Sequence, residues 1–446
     1  MGGIEVKSFS SSSFAGEQVD ALALARAAVE KNPQALFTDF QWFLYKGKDT
    51  VFFTAFSTRS YDKDALGNMV AEMIALAPQL THGFVGAKPG QPFPKHLLDA
   101  ITSVEMVDEL DGYPDKWLSK SSDIFEREDL PLFRVMAAVR RDGPDSEGRA
   151  AVLQVRSSHA LLEGSDSALL TRSASASHGV QSDKSNKLAW GDRLRSALRG
   201  GMTTLIYLLL ANILAPKEKP WGFRTLAIER HRLRKLANKL GVRQRSLMFA
   251  LVTHALNGEG AEKHMSKKVI GANYTMLDTK RNSTDDDFFR VRALEAKFKV
   301  MDDFVDYVRA VDDTVAGIEQ KDITSFQVVI MSMFKAMRAV NRVLPFLPNK
   351  RFWRFNGGND IVLTLVPPHR TYGPLTHGMV EPLYCGAWHS EVNICTFCPG
   401  RQYVTLNFSM EQRHVAHVDK IMSLLAEVEQ RDVGPHTMAP AVEKLH

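Results

Sequence analysis

The alternation of apolar and polar positions is clearest in the first half of the chain, where two apolar segments predict paired strands. Residues 132–139 and 150–155 are rich in small and branched side chains, as buried strands are. The segment 142–148 between them contains two glycines and a proline and favours a hairpin turn. The second strand runs into Ser158 and His159. The sequence therefore predicts a hairpin that delivers His159 to the rim of a sheet.

Other parts of the chain show the periods of strands and of helices. Strands are predicted over residues 50–56, 269–277, 291–298, 361–364, 391–397 and 402–409. Helices are predicted over residues 62–80, 225–240, 246–256, 302–320, 326–340 and 415–428, with Gly241 as the C-cap of the second. This mixture of strands and helices indicates an α/β protein.

Two apolar segments bear on membrane contact. Residues 200–216 carry no charge and are flanked by basic residues, and a run of roughly 17 residues is at the lower limit for a membrane span. We expect a buried or interfacial crossover helix there, with a span or a surface anchor as alternatives. Residues 326–355 place Lys335, Arg338 and Arg342 away from an apolar face. That helix could lie in a lipid headgroup layer or pack over an acyl pocket.

The composition excludes several classes of protein. With 446 residues, of which 44% are hydrophobic and 24% charged, the chain is long enough for two domains that each have a core. The formal net charge of +5 favours acidic partners such as the phosphates of CoA or an anionic membrane face. The sequence has no stripe of basic residues interleaved with aromatic ones, so no nucleic-acid partner is predicted.

Cysteine usage and the first residues indicate the compartment. Three cysteines argue against a disulfide framework and favour a reducing cytosol. Residues 1–31 lack the basic start and continuous apolar core of a secretory signal. We therefore expect a cytoplasmic protein that could also lie peripherally at the inner membrane face. Cys395 and Cys398 have Cys-x-x-Cys spacing, but residues three apart on a strand face opposite sides, so no metal site is predicted.

The residues around His159 resemble the signature of a known superfamily. His159, Glu163 and Gly164 are similar to the His-x-x-x-Asp-Gly motif of CoA-dependent acyltransferases, specifically of the bacterial wax ester synthase/diacylglycerol acyltransferase branch. Leu130–Phe133 stands where that branch has Pro-Leu-Trp, and Ile361–Pro368 resembles its late strand ending in Ser-Asn-Val-Pro-Gly-Pro. The resemblance covers about residues 37 to 429.

The resemblance implies a two-domain α/β fold of the chloramphenicol acetyltransferase type, with mixed sheets flanked by helices and a tunnel at the domain interface. It divides the chain into an N-terminal extension at 1–36, an N-terminal acyltransferase domain at 37–185, a crossover linker at 186–222 and a C-terminal acyltransferase domain at 223–446.

The implied activity is transfer of a long-chain acyl group from acyl-CoA to a long-chain alcohol or a diacylglycerol, giving wax ester or triacylglycerol. A neutral histidine can accept a hydroxyl proton near pH 7, and the resemblance assigns this role to His159. Glu163 or Asp166 would orient the imidazole, and Thr364 or nearby backbone amides would hold the oxyanion. Acyl-CoA is expected as substrate rather than cofactor, and no metal is required. The partners would be acyl-CoA and a hydroxylated lipid, with a membrane or lipid-droplet surface nearby.

Departures from the family pattern leave two other functions open. Ser158 replaces the first histidine of the family's pair, Glu163 replaces the motif Asp, and Arg245-Ser246 replaces an Asn-Asp pair. One alternative is acyl transfer from a carrier protein to a hydroxyl or amine, as in condensation domains. The other is a non-catalytic member that binds lipid or a partner protein.

Overall fold

The chain forms two mixed β-sheets, and helices pack against both. The computed structural model describes residues 39–76, 80, 95–118, 123–125, 130–161, 190–213, 220–257, 269–277, 291–319, 325–343, 359–366, 378–388 and 392–432. The predicted N-terminal extension at 1–36 and residues 186–189 of the predicted crossover linker lie outside these residues. The boundaries of the two domains stay predictions.

The N-terminal sheet has five strands in the spatial order β2-β3-β4-β1-β9. Its strands are β1 Thr50–Ser57, β2 Thr102–Val107, β3 Phe133–Arg140, β4 Ala151–Ser158 and β9 Met379–Trp388. The predicted hairpin is confirmed, since β3 and β4 pair antiparallel. β2 pairs parallel with β3, and β1 lies antiparallel between β4 and β9. β4 and β1 are therefore interior strands.

The C-terminal sheet has six strands in the order β5-β11-β10-β8-β6-β7. Its strands are β5 Trp221–Glu229, β6 Val269–Leu277, β7 Val291–Lys299, β8 Ile361–Leu365, β10 Ile394–Pro399 and β11 Tyr403–Glu411. β8 lies between β10 and β6 and is parallel to both, whereas the other pairs are antiparallel. The strand that carries Thr364 is thus interior.

Eleven α-helices lie in the described part of the chain. They are α1 Asp39–Gly47, α2 Lys63–Leu76, α3 Lys95–Ile101, α4 Tyr113–Leu118, α5 Trp190–Ile213, α6 Arg230–Leu240, α7 Gln244–Leu256, α8 Phe304–Glu319, α9 Ser325–Val343, α10 Gln412–Val415 and α11 Lys420–Gln430. Gly241 caps α6 in the left-handed conformation (φ 68°), as the sequence predicted. None of the helices in the described part of the chain combines the length and apolarity needed to cross a bilayer.

Each sheet has its own apolar core. One face of the N-terminal sheet, with Phe53, Phe133 and Leu153, packs on α2 and α3. One face of the C-terminal sheet packs on α7, α8 and α11, with Phe249 and Phe397 in ring contact at 5.5 Å between centroids. On the opposite face of the N-terminal sheet, Trp117 of α4 packs with Phe56, Ala138 and Val152.

Strand β9 joins the two sheets. It pairs with β1 in the N-terminal sheet, and the Thr405 hydroxyl of β11 donates to its Leu383 carbonyl at 2.6 Å. The Glu381 carboxylate accepts hydrogen bonds from three successive backbone amides, at residues 401–403 in the turn between β10 and β11. A strand from the C-terminal half therefore completes the N-terminal sheet and holds the two together.

The structure corrects several predicted elements. Residues 225–229 were predicted as the first turns of a helix but belong to β5, because they pair with β11 and the helix begins only at Arg230. The strand predicted from residue 391 begins at Ile394. The closing helix predicted over 415–428 is two helices, α10 and α11. Strands β2 and β9 were not predicted.

Candidate active site

His159 is the first residue beyond β4, and the backbone fixes where it lies. Ser158 is the last residue of β4 and is paired with Thr50 of β1. The His159 N–H donates to the Asp49 carbonyl at 2.8 Å, which extends the β4–β1 ladder by one residue. Since β4 and β1 are interior strands, His159 lies where a central strand of the sheet ends and not beside an edge strand. The sequence predicted this position at the rim of the sheet.

The turn after His159 is held by Ser158. The Ser158 side chain is fully buried, and its hydroxyl accepts a hydrogen bond from the Ala160 N–H at 3.3 Å. The Ser158 N–H donates to the Leu132 carbonyl at 2.8 Å, and its own carbonyl accepts from the Leu161 N–H at 2.9 Å. The backbone and hydroxyl of Ser158 thus tie together the end of β4, the turn after it and Leu132, the residue before β3.

The environment of His159 favours a neutral imidazole. The residue is partly exposed, yet the surrounding protein removes enough water to lower its pKa from 6.5 to about 4. Burial disfavours the charged form of histidine. At pH 7 the ring is therefore ready to accept a proton rather than to donate one.

A buried polar network precedes His159 on β4. The Arg156 side chain is 1% exposed, and its guanidinium donates to the Trp117 carbonyl and, at 2.8 Å, to the Gln154 side-chain oxygen. The Gln154 amide then donates to the Thr54 hydroxyl of β1 at 2.9 Å. These residues share the face of the sheet that is turned away from α2 and α3. Sequence analysis missed the network, although a charged residue inside an apolar strand is a signal for it.

Thr364 lies within a row of polar side chains that crosses the C-terminal sheet. Strand pairing aligns Thr364 of β8 with Thr396 of β10 and Thr275 of β6, and aligns Thr396 with Asn407 of β11. Directly paired residues on neighbouring strands project from the same face. We call Thr275, Thr364, Thr396 and Asn407 the polar row. Its members come from four separate strands, so no local sequence pattern could reveal it.

The polar row faces the N-terminal sheet. Asn407 lies against Gly386 of β9, where an added Cβ would be 3.4 Å from the Asn407 Cβ. Gly386 is two residues before Trp388 on β9. Trp388 pairs with Thr50 of β1, and Thr50 pairs in turn with Ser158 of β4, the residue before His159. At about 3.3 Å per residue, the Asn407 end of the row lies roughly 10 Å along the strand from His159.

Two of the polar groups in the row are buried without a hydrogen-bond partner. The Thr396 hydroxyl oxygen and the Asn407 side-chain oxygen are both shielded from solvent and have no partner among the described residues. The Asn407 amide nitrogen is 3.3 Å from both the Thr396 carbonyl and the Thr405 hydroxyl. Buried polar atoms usually have partners, so these two mark a place where a bound polar group would be stabilised.

Three predicted site residues cannot be placed. Glu163, Gly164 and Asp166 lie outside the described residues, so their roles stay predictions. Arg245, which replaces the family's Asn, forms an ion pair with Glu319 of α8, and its neighbour Arg243 contacts Asp312 at 2.7 Å. These ion pairs attach α7 to α8.

The cysteines do not form the Cys-x-x-Cys site that their spacing allows. Cys395 packs in the core of the C-terminal sheet, whereas Cys398 packs in the core of the N-terminal sheet. The expectation that the two face opposite sides is confirmed. Cys398 instead contacts Cys385 of β9, and burial together with this contact raises the pKa of the Cys385 thiol.

These observations define the class of fold. Two mixed sheets, bridged by a strand from the second half and with a histidine at the end of a central strand of the first, form the two-domain α/β fold of CoA-dependent acyltransferases and condensation domains. The predicted fold class is confirmed.

Solved structures support this assignment. The structure is similar to the TRI3 trichothecene 15-O-acetyltransferase from Fusarium sporotrichioides, with a TM-score of 0.54, 11% identity and coverage of 92% of this chain and 94% of that one. It is also similar to the first condensation domain of the calcium-dependent antibiotic synthetase in complex with a substrate analogue, with a TM-score of 0.52, 13% identity and coverage of 91% and 98%.

Other comparisons do not resolve the branch within this fold. A wax ester synthase/diacylglycerol acyltransferase from Marinobacter aquaeolei VT8 aligns with 16% identity over 89% of this chain and 99% of that one, at a TM-score of 0.47. No protein-family model and no curated protein sequence matches the chain.

Proposed function

We propose that the protein is an O-acyltransferase that moves a long-chain acyl group from acyl-CoA to the hydroxyl of a long-chain alcohol or a diacylglycerol. The products would be a wax ester or a triacylglycerol. The observation that carries the proposal is the position and state of His159. It directly follows the interior strand β4, beside the start of β1, and it is neutral and partly exposed. The fold, which is shared with an acetyltransferase and a condensation domain, supports it.

The reaction needs one base. His159 accepts the proton of the acceptor hydroxyl as the oxygen attacks the thioester carbonyl carbon. The tetrahedral intermediate then collapses, the carbon–sulfur bond breaks, and the thiolate of CoA takes the proton from the imidazolium. The products are an ester and free CoA, and His159 is again neutral. General base catalysis of this kind contributes roughly 10²–10⁴-fold to the rate.

The polar row supports a second role in this reaction. The resemblance implies Thr364 or nearby backbone amides as the oxyanion donors, and Thr364 is paired with Thr396 in the same row. A hydroxyl aimed at the developing oxyanion stabilises it, and loss of one such donor costs about 2.7–4 kcal/mol. We therefore assign oxyanion stabilisation to Thr364, and Thr396 is the neighbouring donor that sequence analysis missed.

The substrate class is tested by measuring thiol release. Purified protein is given long-chain acyl-CoA together with hexadecanol, diacylglycerol, a short alcohol or an amine, and free thiol and acylated product are both measured. We expect thiol release that depends on a long-chain hydroxyl acceptor and matches ester formation mole for mole. Absence of release with every hydroxyl acceptor would overturn the proposal.

The same experiment distinguishes the condensation-type alternative. The similarity to a condensation domain is the observation that favours this second function. An acyl group carried on the phosphopantetheine arm of a carrier protein would replace acyl-CoA as donor in a parallel set of reactions. Transfer from the carrier protein but not from CoA would replace the proposed function with acyl transfer from a carrier protein to a hydroxyl or amine.

A further inference from the structure

Helix α5 has an apolar face that is exposed in the described part of the chain. Six large apolar side chains on it are 45–78% exposed: Trp190, Leu194, Leu198, Met202, Leu205 and Ile206. Only three other large apolar side chains in the described part of the chain are comparably exposed, and they belong to other elements. Contiguous exposed apolar surface on this scale marks a binding surface. We call these six residues the α5 stripe.

The packing of α5 forces the stripe outward. Ser196, Gly200 and Thr204 recur every four residues, and Ser196 and Thr204 are buried. A Cβ on Gly200 would lie 2.6 Å from the Val329 carbonyl of α9 and 2.8 Å from the Ser332 Cβ, so only glycine permits this close approach. At about 100° per residue, the stripe is centred roughly opposite this small-residue edge. The rotation of α5 is therefore fixed, and its large side chains cannot turn inward.

Charge beside the stripe is basic. Arg195 and Arg199 are exposed along one side of it. Over its length α5 contains three arginines and one acidic residue, Asp192. The exposed apolar face is thus flanked by positive charge.

We infer that the α5 stripe docks the protein onto an anionic lipid surface, with the helix lying in the plane of the headgroups. An apolar face beside arginines is the composition of interfacial helices, which bind through buried apolar area and attraction to anionic lipids. A second copy of the chain fits less well, since pairing two stripes would bring the arginines of both copies together. The inference rests on the surface of α5 and not on His159.

Vesicle flotation of the full-length protein tests the inference. We expect flotation with vesicles of phosphatidylcholine and phosphatidylglycerol, and much less with phosphatidylcholine alone or at high salt. The combined change Leu194→Gln, Leu198→Gln and Met202→Gln should weaken binding roughly tenfold or more. Met106→Gln, which changes an exposed methionine on β2, is the matched control and should bind normally.

Depth of insertion gives a second measurement. Brominated lipids should quench part of the wild-type tryptophan fluorescence, and that part should be missing in Trp190→Phe. Equal flotation of the triple variant and wild type would overturn the inference. The inference would also be overturned if the wild-type protein did not bind vesicles but formed a dimer that the triple variant could not form. The α5 stripe would then be covered by a second copy of the chain. His159→Ala should float like wild type, which separates this inference from the proposed chemistry.

Discussion

His159 is placed by backbone hydrogen bonds on both sides of it, so its position depends little on its own side chain. Its N–H is bound by the Asp49 carbonyl, and the preceding Ser158 is bound on both its N–H and its carbonyl. These backbone bonds do not involve the imidazole, so they can form whichever side chain stands at position 159. A substitution at residue 159 should remove chemistry and leave the fold intact.

The lowered pKa of His159 predicts a pH dependence of stability. In the folded protein the ring stays neutral down to about pH 4, whereas in the unfolded chain it takes up a proton near its ordinary pKa of 6.5. The unfolded state thus binds more protons in this window, and stability falls as the pH drops through it. Denaturant unfolding between pH 7 and pH 4 should show this loss in wild type, and a smaller loss in His159→Gln. Equal pH dependence of the two proteins would contradict it.

At this scale the sequence predicted where some candidate residues lie in the fold and not where others lie. His159 and Ser158 could be predicted because an apolar strand runs directly into them, so chain order alone places them at a sheet edge. Thr396 and Asn407 could not, because they become neighbours of Thr364 only when separate strands pair. The same holds for the contact between Arg156 and Trp117, which joins residues far apart in the chain.

Strand β9 illustrates how tertiary contacts override local pattern. Its sequence contains Pro382 and Gly386, which normally argue against a strand. The register of β9 against β1 shifts between Ala55 and Phe56, and Glu381 and Pro382 are the two residues without a partner in that register. Proline is tolerated there because a bulge requires no ladder hydrogen bond from it. Pro382 therefore lies in a bulge within the strand and does not end it.

Gly386 should be required for the packing of Phe52 across β9. An added Cβ would lie 2.5 Å from the tip of the Phe52 ring, which belongs to the paired strand β1. Gly386→Ala should therefore lower the free energy of unfolding by about 1–3 kcal/mol through overpacking. The matched control is Gly67→Ala on α2, where a Cβ meets nothing within 4 Å, and which should be neutral or slightly stabilising. Equal effects in urea unfolding would show that the Phe52 ring can move aside without cost.

Strand predictions were more accurate for strands with regular apolar patterns. β6 was predicted with its observed limits, and β3, β4 and β7 within one to three residues at each end. The first part of the predicted helix at 225–240 was wrong, because pairing with β11 outweighs a helical spacing of leucines. Only the part after Glu229, where no partner strand competes, is helical.

The two sheets should unfold together because β9 belongs to one and is tied to the other. The Glu381 carboxylate accepts three backbone hydrogen bonds from residues 401–403. Glu381→Gln replaces one acceptor oxygen with a donor and should lower the free energy of unfolding by about 1–3 kcal/mol. Glu109→Gln, at an exposed glutamate, is the control and should change stability by less than about 0.5 kcal/mol. A stability loss no larger than that of the control would show that the β9 connection is not held by this carboxylate.

The overall architecture could be predicted from the order of the His motif, the late strand and the closing helices, because these follow the order of a known fold. The coupling of the sheets through β9 could not, since it depends on contacts between residues 20 and more positions apart. The sequence alone left open whether α5 is buried or contacts lipid. Its orientation is decided by the close packing of Gly200 on α9.

The central claim is that His159 is the proton acceptor in acyl transfer, and the most direct test compares two histidine variants. Thiol release from long-chain acyl-CoA with a hydroxyl acceptor is measured for wild type, His159→Ala and His231→Ala, the last at a histidine whose side chain is 80% exposed. We predict that His159→Ala loses roughly 10²–10⁴-fold in rate while retaining its unfolding midpoint, and that His231→Ala keeps the wild-type rate. A folded His159→Ala protein that releases thiol at the wild-type rate would contradict the account.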